Sequence, residues 1–330
     1  MAPSNLPQVD CLLCHSPMVP WMVAPCDWRR PDDPTEYRIY SCRACNFGQV
    51  HPRPDRDQIP SFYKIASYYT HDAGSAHPGR DSHSLLDRVR IKFAWLSDHG
   101  VEIDDDSWLK THIGPRARVC DLGCGKGDVL TRLSRLGHEV IGVEPDPTAA
   151  EVARGKGLRI VPGTAEELPD EVRTERYDYI IMRHVLEHCL DPKLAVSNAT
   201  ELLADRGLLI VETPNNEAKG LEQAGVLWPW LDAPRHLNFF TSQSLQSICE
   251  AAGLSVKDVE FCGYTRQFHP EWIENERTIR DIFSKRVSPP SKLPGPNRGL
   301  SSWRLLSSTA RSSDRRKYDS VRVIAGRRAE

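Results

Sequence analysis

The segment VCDLGCGKG, Val119 to Gly127, constrains this chain more than any other. A short apolar run, Arg118 to Leu122, leads into three glycines at alternate positions, Gly123, Gly125 and Gly127. Behind them Val129, Leu130, Leu133 and Leu136 recur at helical spacing, and Gly137 follows as a stop. The pattern predicts a buried strand, a glycine turn and a helix. Glycine takes positive φ freely and lets a ligand approach the main chain closely. The amides that open the following helix can then hold a nucleotide-like ligand or a carboxylate. The spacing is G-x-G-x-G. That differs from the dinucleotide-binding G-x-G-x-x-G and from the phosphate loop that ends in Lys-Ser/Thr.

The next segment strengthens this reading. Glu139 to Val143 is a second short apolar strand, and Glu144 stands at its end, 17 residues after Gly127. A carboxylate there can accept hydrogen bonds from both vicinal hydroxyls of a ribose. Strands are predicted near 118–122, 139–143, 158–161, 177–182 and 207–212, with helices between them. Such alternation implies right-handed crossovers and a parallel sheet. Ligands bind at the carboxyl ends of such strands, where Gly123, Glu144, Ala165 and His184 fall. A helix over 241–253 and two last strands, 254–264 and 320–326, complete the α/β pattern.

Five motifs in this order resemble the class I S-adenosylmethionine-dependent methyltransferases. They are Asp121 with the three glycines, Glu144, GTAEELP (Gly163 to Pro169), YDYIIMRHVLEH (Tyr177 to His188) and DRGLLIVETPN (Asp205 to Asn215). The resemblance implies a seven-stranded Rossmann-like sheet whose final strand is antiparallel to the rest. It also implies S-adenosyl-L-methionine as cofactor. Asp121, Gly123, Gly125 and Gly127 would line its methionine end, Glu144 its ribose, and Thr164, Ala165 and Glu166 its adenine. His184 would face cofactor and acceptor.

The first 55 residues read differently. They are rich in Pro and Cys and poor in helical periodicity. Cys11–Cys14 and Cys42–Cys45 form two C-x-x-C pairs, which can give four thiolates to one tetrahedral Zn2+ with no open position, a structural site. A redox dithiol or a nucleic-acid-binding ribbon is the alternative. Cys26 reads as a small buried apolar residue. The two pairs, H-P-R-P (His51 to Pro54) and Tyr68–Tyr69 resemble the zinc ribbon ahead of many small-molecule methyltransferases, including deoxysugar C-methyltransferases. The chain thus divides into a zinc ribbon (1–55), a linker with a lid helix (56–115) and a methyltransferase core (116–330) interrupted by an insertion at 265–319. In the linker, Leu85, Leu86, Val89, Phe93 and Leu96 share helical spacing, and Tyr68 and Tyr69 are lid candidates.

Composition narrows the partners. A net charge of −2 over 330 residues gives no global field toward nucleic acid. No apolar run reaches the roughly 18 residues needed to span a bilayer. The start of the chain has no signal-peptide pattern, so the cytoplasm is the expected location. The insertion carries nine Lys/Arg and one acid between Lys285 and Lys317. It reads as a solvated loop, with an anion clamp for a phosphorylated substrate as the sharper alternative.

Two histidines are the candidate bases. HVLEH, His184 to His188, matches the zinc-protease pattern H-x-x-E-H, but here it follows a strand of a nucleotide-type sheet and lacks a clear third ligand. DAPRHLNFF resembles the family's D-x-x-x-H-x-x-x-F segment and gives His236 a substrate-facing position. Sugar C-methyltransferases read Y-x-E-H there, and this chain has Ala233-Pro234-Arg235-His236. His236 is the first candidate and His188 the second. Trp228 and Trp230 read as core or as a stacking surface for a ring. The N-P-P-Y motif of nucleic-acid amino methylation is absent. The expected function is methyl transfer to O or C of a small metabolite, such as a sugar, a nucleotide-sugar or another natural-product intermediate. The alternatives are an RNA methyltransferase gripping its substrate with ribbon and insertion, and a cofactor-binding subunit without turnover.

Overall fold

The computed structural model describes residues 7–63, 84–103, 105–287, 293 and 300–328. Among these residues eleven strands are named in chain order. They are β1 (Met18–Ala24), β2 (Tyr37–Cys42), β3 (Gly48–His51), β4 (Arg118–Leu122), β5 (Glu139–Val143), β6 (Ile160–Val161), β7 (Tyr177–Arg183), β8 (Leu203–Pro214), β9 (Asn238–Phe239), β10 (Leu254–Cys262) and β11 (Ser320–Arg327).

Seven of them form one sheet in the order β10-β11-β8-β7-β4-β5-β6. β5, β4, β7 and β8 run parallel, and β11 lies antiparallel to both β8 and β10. This is the expected methyltransferase sheet with one reversed strand. Both faces are covered, as a sheet built on parallel crossovers requires. Alternate residues divide between the two faces. Cys120, Leu122, Ile180, Met182, Leu209 and Val211 meet the helices Pro192–Leu202 and Ser242–Ala251. Val119, Ile181 and Ile210 meet Trp108, Leu109, Val129 and Leu133. The chain winds from β4 to β5 on one side and returns through β7 on the other. The crevice at the ends of β4 and β7 is therefore the switch point where ligands bind in open α/β sheets.

β1, β2 and β3 form a second, antiparallel sheet, and its fourth strand is β9. Gly48 pairs with Phe239 and Gln49 with Asn238. A Cβ on Gly48 would lie 2.9 Å from Phe239 Cβ, so glycine permits the close pairing. Phe47 packs edge-on against Phe240 at 5.2 Å. The cysteine-bearing segment is thereby joined by main-chain bonds to the loop that carries His236.

The linker helix forms, over Leu85–Ser97, but it does not bury the face its sequence suggests. Leu85, Leu86, Phe93 and Leu96 are 77%, 67%, 55% and 56% exposed, while Arg90 and Ala94 are buried. The orientation is set by Arg90, whose guanidinium donates to Phe268 O and pairs with Asp87. Tyr68 and Tyr69 lie outside the described residues, as does most of the Pro/Ser/Gly-rich run 287–301. The insertion contributes helices Pro270–Ser284 and Leu300–Thr309. Its last three cations have partners within the chain. Arg315 pairs with Glu217, Arg316 with Glu222, and Lys317 donates to Ser97 O beside the Tyr264 ring. Among the described residues no helix is long and apolar enough to cross a membrane.

Candidate active site

The glycine turn and the loop after β7 form one crevice. Gly123 and Gly127 have φ of 81° and 75°, which favours glycine strongly. Contact fixes them too. A Cβ on Gly123 would lie 2.5 Å from Val185 Cγ2, and one on Gly127 would lie 2.4 Å from Leu158 Cδ1. Asp121, at the end of β4, is 3% exposed, and its Oδ1 has no hydrogen-bond partner among the described residues. Burial pushes its pKa up to about 7, although Arg183 pulls the other way. Glu144, also buried, accepts from Gly125 N at 2.7 Å and from Asp146 N at 2.9 Å. Burial raises its pKa despite those two bonds.

On the β6 side, Thr164 Oγ1 accepts from Glu167 N at 2.9 Å and Ala165 is buried. The Glu166 carboxylate accepts from Asp191 N at 2.7 Å and Leu190 N at 3.3 Å. It therefore braces the loop after β7, and that loop closes over the third motif.

The loop after β7 gathers the histidines. His184 has φ of 54° and lies between Glu187 (3.1 Å) and Glu212 (3.4 Å). Burial opposes its charge, but the two carboxylates outweigh burial and raise its pKa. His188 Nδ1 donates to Arg235 O at 3.0 Å, with Tyr63 Oη also at 3.0 Å. His236 Nδ1 donates to Trp230 O at 2.6 Å. The two rings meet edge to face, centroids 4.8 Å apart. With Nδ1–H committed to carbonyls, the neutral form of each ring presents a bare Nε2. His236 is 4% exposed, and burial followed by the neighbouring His188 lowers its pKa to about 4. Glu187 is buried, and its Oε2 has no hydrogen-bond partner among the described residues. Burial would raise its pKa, but His184 holds it below the usual range. Glu187, His188 and His236 each offer a donor atom within 4.8 Å of the others, a spacing that also fits a divalent cation. Trp230 lies parallel to His184 at 4.9 Å and to His236 at 6.1 Å. Trp228 is core, 1% exposed.

A methyltransferase-domain family model matches residues 106–259. A ubiquinone biosynthesis O-methyltransferase of Chelativorans sp. is 32% identical over 225 residues, covering 62% of this chain and 82% of that protein. The chain belongs to the class I S-adenosylmethionine-dependent methyltransferases. A ubiquinone biosynthesis O-methyltransferase of Azorhizobium caulinodans is 33% identical over 154 residues. There the match covers 43% of this chain and 60% of the relative's length. A solved methyltransferase of Thermotoga maritima, described as a possible histamine N-methyltransferase, is 21% identical with a TM-score of 0.44, covering 73% of this chain and 92% of that one.

The crevice of this methyltransferase fits its cofactor. Asp121 Oδ1, without a partner among the described residues, suits the ammonium of the methionine moiety. A Cβ built on Gly125 would meet nothing within 4 Å among the described residues, which leaves room beside the main chain, and Glu144 suits the ribose hydroxyls.

The four cysteines also converge. Sγ of Cys11 and Cys45 lie 3.5 Å apart, those of Cys14 and Cys42 3.4 Å, and those of Cys14 and Cys45 3.5 Å. Four thiolates about 2.3 Å from a tetrahedral zinc lie about 3.8 Å from one another, so the cluster is close to zinc size. None of the four is in a disulfide. Cys26 is buried in a separate apolar cluster with Ile39 and Val50.

Several residues around the site are not among the sequence candidates, although some lie inside the motifs. Asp27 and Asp232 are both buried against Arg235. Glu212 is fully buried and held well below the usual carboxylate range, with Arg322 and His184 outweighing burial. Arg53 belongs to the H-P-R-P motif, and its guanidinium donates to Leu237 O and Leu190 O beside the two histidine segments.

Proposed function

We propose that this methyltransferase moves the methyl group of S-adenosylmethionine to a hydroxyl oxygen of a small metabolite, with His188 as the general base. The bound cofactor supplies an electrophilic methyl carbon on a sulfonium, so the protein's tasks are alignment and removal of one proton. Asp121, the glycine turn and Glu144 would hold the cofactor. The observation that carries the reading is the contact between the two halves of the crevice. Val185 sits on Gly123, three residues before His188, so the histidine loop borders the cofactor turn.

His188 is preferred over His236 on electrostatic grounds. A base whose conjugate acid has a pKa of about 4 gains little from taking a proton at neutral pH. His188 is only half-buried, and its Nδ1–H is anchored on Arg235 O, which leaves Nε2 for the acceptor hydroxyl. The Glu187 carboxylate beside it stabilises the imidazolium that results. Neutral His236 and Trp230 form a wall that excludes water. Oxygen is preferred over carbon because the relatives are O-methyltransferases and the Tyr and Glu of the sugar C-methyltransferase segment are missing here. We assign the cysteine cluster a structural zinc.

The test uses methyl-labelled S-adenosylmethionine and a fractionated small-molecule extract. Label is expected in an O-methyl product. His188→Gln should lower turnover about a hundred- to ten-thousandfold with cofactor affinity kept. Label appearing only in RNA, or full turnover by the variant, would defeat the reading.

A further inference from the structure

The cysteine-bearing segment reaches into the histidine site through two arginine centres, Arg53 half-buried and Arg235 buried. Arg53, just after β3, donates from Nη1 to Leu237 O at 3.2 Å. Its Nη2 faces Cys189 O at 2.9 Å, Leu190 O at 2.7 Å and Asn238 Oδ1 at 3.0 Å. Cys189 and Leu190 follow His188, and Leu237 and Asn238 follow His236. One guanidinium thus ties together the two segments that carry the two histidines. Asn238 closes the same junction from the other side, donating to Leu186 O and Cys189 O, both at 2.7 Å.

The second centre is Arg235, with no side-chain exposure. Asp27, between β1 and β2, grips it with both oxygens, at 2.9 and 2.6 Å. Asp232 binds the same guanidinium at 3.0 and 2.9 Å. The main chain of Arg235 is what the histidines use. Its carbonyl accepts from His188 Nδ1, and His236 is the next residue. Fixing the Arg235 side chain therefore fixes the acceptor that sets the His188 tautomer and the peptide that carries His236. Paired, multiply bonded guanidinium groups suit this role, because their planar fork fixes direction as well as charge.

We propose that Arg53 and Asp27 are positioning residues for methyl transfer, holding His188 and His236 in the Nδ1–H tautomer that leaves each Nε2 bare. The segment before residue 55 is then part of the acceptor site's framework. This rests on the reading of His188 as base, but the geometry can be tested without an acceptor.

The experiment is two-bond 1H–15N spectroscopy on protein with 15N-labelled histidine. Signals are assigned with His188→Gln and His236→Gln, and the ligand probe is S-adenosylhomocysteine. Wild type should show both rings as Nδ1–H. Arg53→Lys keeps the charge but cannot span the four acceptors. Asp27→Asn removes one carboxylate from Arg235. Each should lower the Nδ1–H fraction of His188 and His236 at least twofold and leave the signals of exposed histidines and the affinity for S-adenosylhomocysteine unchanged. In a turnover assay each should lower kcat with little change in KM. Arg53→Lys carries the test if Asp27→Asn does not fold. Wild-type tautomers in variants that bind S-adenosylhomocysteine normally would overturn the proposal. Loss of that binding in both would also overturn it, since the contacts would then serve folding alone. Full turnover by His188→Gln would instead remove the base assignment and leave the tautomer result standing.

Discussion

Gly125 N donates to Glu144 Oε2 at 2.7 Å, while the other oxygen of the same carboxylate accepts from Asp146 N at 2.9 Å. The glycine turn and the acid after β5 are therefore locked together before any cofactor arrives. Glu144→Ala should weaken both S-adenosylmethionine and S-adenosylhomocysteine. Losing hydrogen bonds to a charged acceptor costs about 1.5–3 kcal/mol, roughly ten- to a hundredfold in affinity. Glu144→Gln should fall between, because an amide offers only one acceptor oxygen. Calorimetry showing equal affinity in all three proteins would remove Glu144 from the site.

Asp121 makes a pH prediction. Its pKa is pushed up to about 7 in the folded chain, chiefly by burial, against an ordinary value near 3.8. Between those values the folded state holds a proton that the unfolded state has lost. The contribution of this group to stability is present below pH 4. It is lost as pH rises toward 7, by about 1.4 kcal/mol for each pH unit crossed. A cofactor ammonium beside the carboxylate reverses the preference. Binding S-adenosylmethionine at pH 6 should release close to one proton, read by calorimetry in buffers of different ionisation enthalpy. Asp121→Asn should abolish that release.

The cysteine cluster should bring one zinc per chain, measured by elemental analysis, and Cys42→Ser should lose it. Metal binding is folding energy for such a small module. Because β3 pairs with β9, the damage should extend to the loop carrying His236. Chelation should therefore lower the melting temperature of the whole protein and not only unfold residues before 55. A second metal per chain would point to Glu187, His188 and His236.

Much of this was legible in the chain. Local periodicity announced β4, β5, β7 and the helix after the glycine turn, because each carries its apolar run or apolar face within its own short segment. Glu144 was legible because its place depends only on the end of a strand. The supports of the histidines were not. Asp27 meets Arg235 across 208 residues, and Arg53 meets Leu237 across 184. Such pairs leave no period, and a lone Asp or Arg in a loop ordinarily reads as solvated. β9 is two residues long and hides inside an aromatic run. The exposed face of Leu85–Ser97 misled for a similar reason. Apolar spacing announces a helix, while the packed side was chosen by Arg90 reaching a carbonyl 178 residues away.

His236 should shape the acid limb of stability. Burial and the neighbouring His188 hold its pKa at about 4, below the ordinary value near 6.5. Between those values the unfolded chain takes up a proton that the folded chain refuses. Stability from this group is full above pH 6.5 and is lost as pH falls toward 4, about 3 kcal/mol in all. His236→Gln retains a hydrogen-bond donor for Trp230 O and does not titrate. It should therefore lose less stability than wild type between pH 6.5 and 4.5 in urea unfolding. Asp121 acts with the opposite sign over much of the same range, so the wild-type curve is flatter than either group alone would make it. Asp121→Asn should steepen the acid loss, and the double variant should restore a shallow profile. If His236→Gln and wild type lose stability in parallel, the imidazole is not held neutral, and the water-excluding wall assigned to it beside Trp230 does not exist.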